Sequence, residues 1–237
     1  MVNIQKDLLL AKENQIDDQM EAGHFRKARL AIRQLLKRDK LNFTANFQMA
    51  LLELESNRPK SALKYAKIVV KNYPEAPNAW LNLGVAYGRV NQFARAINCY
   101  KKELALNPES PEALHNLGLN FYRRRDWRKA INPLQECLRL NHSSEEVRGP
   151  LADSLYRCGR IQDEIALYKR CLIENPKDLW ARSNLGAALM DVGEYRRALI
   201  TLRIAKAMGA EFPNLIRNLQ KIEMMPKELG VTNRGQA

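Results

Sequence analysis

Apolar and polar positions alternate with a helical rhythm through the stretch Trp80–Pro108, WLNLGVAYGRVNQFARAINCYKKELALNP. Leu83 and Tyr87, four apart, share one face of a first helix, and Phe93 and Leu106 supply the facing side of a second. A polar break at Asn91 separates them, which predicts two antiparallel helices joined by a tight turn. The pattern returns every 34 residues. Gly84 leads to Gly118, Ala152 and Gly186 and back to Ala50, and Leu83 leads to Leu117, Leu151 and Leu185. Ala96 leads to Ala130, Glu164 and Ala198, and back to Ala62 and Ala28. Pro74, Pro108 and Pro176 share one phase, with His142 in the place of a fourth proline. The chain is an internal repeat.

Each column has a physical reason. Small residues such as Gly84 and Ala96 sit where two helices cross, because only a small side chain lets the backbones approach. The turn column reads Gly23, Asn57, Asn91, Arg125, Gly159 and Gly193, mostly residues that tolerate the left-handed conformation ending a helix. The prolines mark where a second helix has stopped. The phase gives units at 9–42, 43–76, 77–110, 111–144, 145–178 and 179–212, then a capping helix at 213–225. A short helix at 2–8 and a flexible, dispensable tail at 226–237 complete the expectation. Gly149-Pro150 predicts that the leading helix of the fifth unit starts late, and Pro133 predicts a mild kink in the fourth unit's second helix.

These columns resemble those of the tetratricopeptide repeat family. The resemblance implies an all-α, right-handed α-solenoid of six helix-turn-helix units with a C-terminal cap, a single domain over 1–225. It also implies that the first helix of each unit lines an inner groove. Family members that clamp a chaperone's terminal carboxylate use lysines in two columns of that groove. Here those columns read Glu13, Phe47, Leu81, His115 and Leu10, Thr44, Asn78, Glu112, so no such clamp is expected.

Composition then narrows the chemistry. The 237 residues are 46% hydrophobic, with 39 Lys plus Arg against 26 Asp plus Glu and a net charge of +13. No apolar run is long enough to span a bilayer, and no signal peptide is evident at the start. Four cysteines without disulfide-dense spacing suggest a reducing compartment, the cytoplasm. Cys137 and Cys171, 34 apart, read as small core packers. No metal spacing, phosphate-binding glycine loop or nucleophile triad occurs, so neither an enzyme nor a cofactor is expected. The bases concentrate in Arg26, Lys27, Arg29, Arg33, Lys37, Arg38 and Lys40, and again in Arg123, Arg124, Arg125, Arg128 and Lys129. They read as solvated outer faces, or as docking sites for an acidic partner or an anionic membrane surface. Nucleic acid is disfavoured, because no aromatic stacking residues are interleaved with them.

By the family's geometry, the groove carries two polar ladders. One runs Asn14, Gln48, Asn82, Asn116, Pro150, Asn184, and an amide there can pair with both backbone groups of an extended peptide. The other reads Glu21, Glu55, Arg89, Arg123, Arg157, Asp191, with three like charges in a row that would repel unless an acid visits. Leu81, Leu119, Tyr122 and His115 fall between them, and Tyr156 and Trp180 extend the apolar strip. The expected function is a non-enzymatic scaffold or adaptor whose groove takes an acidic, amphipathic segment of a partner protein. The alternatives are a subunit that self-assembles or is built into a secretion, pilus or motility machine, and an anion or RNA binder using the basic outer face.

Overall fold

A computed structural model describes residues 16, 18–20, 22–140 and 145–225. The expected short helix at 2–8, the groove residues Glu13, Asn14 and Glu21, and the tail at 226–237 lie outside them. The described residues form helices and turns, with no strand. After the helical residues Ile16 and Asp18–Met20 come α1 (Phe25–Arg38), α2 (Phe43–Glu55), α3 (Pro59–Asn72), α4 (Ala79–Arg89), α5 (Phe93–Leu106) and α6 (Pro111–Arg123). Then follow α7 (Trp127–Leu140), α8 (Glu145–Arg157), α9 (Ile161–Glu174), α10 (Leu179–Asp191), α11 (Tyr195–Ala207) and α12 (Pro213–Glu223). The fold class is an all-α helical-repeat solenoid. Two compact units divide it, residues 1–148 and 149–237.

In the first unit every helix from α1 to α7 packs on its sequence neighbour, and the leading helices α2, α4 and α6 also touch in succession. Ile16, Ala28, Ile32, Leu35, Ala45, Met49 and Leu52 form one buried cluster, and Ala50, Ala66, Leu83 and Cys99 form the next. Leu106, expected opposite Leu83, is instead exposed at the end of α5, and Cys99 and Ala66 fill its place. The crossings are tight where glycine was expected. A Cβ on Gly118 would lie 2.6 Å from Leu134 Cγ, so α6 meets α7 there with no room for a side chain.

All six residues of the turn column are left-handed, with φ from 54° at Asn57 to 77° at Gly193. The bonding is the paired C-terminal motif that this conformation allows. The Arg125 amide donates to Tyr122 and the Asp126 amide to Phe121, both at 2.9 Å. Helix starts use a side chain where the sequence offers one: Asn42, Ser110 and Asp178 accept from the amide three residues on. At α4 the cap position is Asn78, itself left-handed at φ 60° and without a side-chain bond. The buried Glu103 carboxylate on α5 takes over, accepting from the amides of Asn78 and Leu81 at 3.2 Å each. A second buried acid, Glu53, holds Arg29 at 2.8 Å while Arg29 also donates to Ser56. Arg29, expected on an outer surface, is therefore a strut between α1 and α2.

Helix α8 corrects the expectation at Gly149-Pro150. It runs unbroken from Glu145 to Arg157 with Pro150 inside it. Pro150 is the sixth residue of the helix, where it lacks the amide that would bond the Glu146 carbonyl, and the burial of Val147, Leu151 and Leu155 on one face holds the helix through it. Helix α7 likewise continues through Pro133. In the second unit α9 packs on α10, α10 on α11, and α12 on both α10 and α11. The cap buries Leu215, Leu219 and Ile222 and turns its remaining faces outward.

Candidate functional site

Arginine, tyrosine and asparagine side chains from three helices of the first unit make up the candidate site. Arg89 ends α4 and Arg123 ends α6, both exposed. Tyr100 on α5 is buried, and the charges of both guanidiniums act on its hydroxyl. Burial pushes the Tyr100 hydroxyl well above the usual phenol range, while Arg123, a hydrogen bond from Asn120 and Arg89 pull the other way. Asn120 is buried, donates to the Asn116 carbonyl at 2.7 Å, and leaves its Oδ1 without a partner among the described residues.

His115, one turn before Leu119, is half-buried, and its Nε2 is buried without a partner among the described residues. Burial lowers its pKa, with Glu146 opposing and Arg123 reinforcing, so the ring stays neutral at neutral pH. Among the described residues no carboxylate hydrogen-bonds to the ring. Leu119 and Tyr122 are half-buried beside it, and Tyr122 meets Trp127 edge-on at 5.1 Å. Among the described residues no cluster of His, Cys, Asp and Glu could hold a metal ion.

The amide row differs from its sequence reading. Asn116 spends its amide on the Glu112 carbonyl and Asn184 on the Trp180 carbonyl, each four residues back in its own helix. Asn82 is buried, and its Nδ2 has no partner among the described residues. Leu81 is buried as well, its amide held by Glu103, so it belongs to the core. In the second unit Tyr156 is exposed on α8, and Trp180 packs edge-on against Tyr168 at 5.5 Å.

The arginines also fail to form a uniform unpaired row. Arg157 pairs with Asp153 at 3.2 Å, one turn back in α8. Arg89 donates to the Leu54 carbonyl and so closes the end of α2. Arg123 has no ion-pair partner among the described residues. A single column of residues cannot register an acid one turn away or a carbonyl on the preceding unit. Column reading also missed Glu103, although a lone acid in the column that holds Cys137 and Cys171 was the available signal.

A family model described as anaphase-promoting complex, cyclosome, subunit 3 matches residues 89–171, and a tetratricopeptide repeat model matches residues 47–89. No curated protein matches the chain. Among solved structures, YrrB, described as a TPR protein with an unusual peptide-binding site, superposes with a TM-score of 0.69 at 18% identity. That match covers 80% of this chain and 98% of YrrB. The pilF protein of Pseudomonas aeruginosa gives 0.65 at 16% identity, over 90% of this chain and 95% of that one. MamA gives 0.62 at 22% identity, over 70% and 91%. At such identities the likeness is one of fold.

Proposed function

We propose, from the premise that the chain is a tetratricopeptide repeat protein, that it is a protein-interaction scaffold. Its first unit would hold an acidic, partly apolar segment of a partner. The observation that carries this reading is a pair of exposed arginines, Arg89 and Arg123, at the ends of two successive leading helices, both near enough for their charges to act on the buried Tyr100 hydroxyl. A guanidinium presents a fork of donors matched to a carboxylate, and Arg123 has no such group beside it among the described residues. Leu119 and Tyr122 add half-buried apolar surface to the same helix. The reading involves no catalytic step. That YrrB is described as having a peptide-binding site supports the class of ligand.

Consecutive leading helices lie roughly 10 Å apart in such a stack. An extended peptide advances ~3.3 Å per residue. Acids about three residues apart, with apolar residues between them, would then meet Arg89 and Arg123 in turn. Selection of a random peptide library on the immobilised protein tests this. Enrichment of that acid spacing is expected, with the enriched peptides lost on an Arg123→Glu variant. Enrichment of basic peptides, or of sequences indifferent to Arg123→Glu, would refute it.

A further inference from the structure

Some bases on the outer helices have an acid beside them. Arg139 pairs with Glu136, Arg160 with Asp163, Arg170 with Glu174, Arg197 with Glu194 and Arg203 with Glu223. Elsewhere four cations without an ion-pair partner among the described residues gather around one cleft. A cleft of about 390 Å³ opens between α1 and α3, walled by Arg33, Lys37, Lys40 and Lys64. None of these four cations is in an ion pair among the described residues, and no carboxylate lines the cleft. Asp39, adjacent in sequence, turns its carboxylate to the Leu41 amide at 2.9 Å.

The floor is of a different character. Leu36, Tyr65 and Ile68 line it, all half-buried. Asn46 of α2 closes it, 1% exposed, its amide nitrogen bonded to the Lys40 and Asn42 carbonyls and its Oδ1 without a partner among the described residues. Like charges around an apolar floor repel one another and leave apolar surface wet. Both costs are removed by one occupant chemistry, an apolar side chain flanked by carboxylates. A phosphate backbone would satisfy the rim but gain nothing from Leu36 and Ile68.

We propose that the α1–α3 cleft is a second docking site, which takes an acidic segment of a partner protein with one aromatic or large aliphatic side chain seated on Leu36, Tyr65 and Ile68. It is independent of the Arg89–Arg123 site, so the chain would engage two acidic segments at separate places.

Fluorescence anisotropy of the whole protein with a labelled peptide, one Phe flanked on each side by two acidic residues, tests the proposal. Lys37→Glu/Lys64→Glu, both at exposed positions, should weaken binding about tenfold or more, and Lys37→Arg/Lys64→Arg should restore it. Replacing the peptide's Phe by Ala should also cost about tenfold. Retained helicity of the Glu variant by circular dichroism assigns its loss to the site. No binding by the wild type, or equal binding by the Glu variant or by the Ala peptide, would overturn the proposal. Loss of binding in Arg123→Glu would move the peptide to the other site and also overturn it. A single-stranded oligonucleotide that binds more tightly than the peptide and is lost with Lys37→Glu/Lys64→Glu would reassign the cleft to nucleic acid.

Discussion

Glu164 stands where the repeat has alanine in most units, at the packed crossing of α9. It is 7% exposed, and Tyr168 donates to its Oε1 at 3.0 Å while Oε2 has no partner among the described residues. Burial pushes its carboxyl from 4.5 up to about 7. The Tyr168 bond opposes that rise, and Asp191 and Asp153 add to it. The folded state therefore holds this proton more tightly than the unfolded chain. Between pH 4.5 and about 7 the unfolded chain releases it first, so this group's contribution to stability falls with rising pH and levels off above that window. Urea denaturation across the window should show wild type losing on the order of 2–3 kcal/mol relative to Glu164→Gln. Parallel pH profiles for the two proteins would show that the carboxyl is not held this way. From sequence, Glu164 was visible only as a departure from the alanine column, because its environment depends on acids 11 residues before it and 27 after it.

Helix pairs were the most legible feature, because their signals are local. A left-handed residue and a glycine at a crossing each declare themselves within one turn, and Arg125 adopts φ 61° because its place in the turn demands it. Pro150 was misjudged for the converse reason: its local penalty is real, but the packing of Val147, Leu151 and Leu155 decides. The crossing at Gly118 gives a test at this scale. Gly118→Leu must displace Leu134 and should destabilise by at least ~1–3 kcal/mol. Arg123→Ala, exposed at the end of the same helix, should stay within about 0.5 kcal/mol of wild type. Chemical denaturation that found equal losses would make Arg123 a structural member rather than a waiting contact.

For the molecule as a whole, the fold was written in the spacing of a few columns, but the site was only half legible. Column phase picked out Arg89, Arg123, Asn116 and His115 on leading helices. It could not distinguish Arg123, unpaired among the described residues, from Arg157, which has Asp153, or Arg89, which closes α2. Nor could it place Lys64 of α3 beside Lys37 of α1. Such neighbours come from different repeats and share no column. The central claim is that Arg123 receives a carboxylate from a partner segment. Isothermal titration calorimetry of a library-selected acidic peptide into wild type and Arg123→Glu tests it most directly. The account predicts exothermic binding that weakens with salt and falls at least about tenfold in the variant. Unchanged affinity in Arg123→Glu would contradict it.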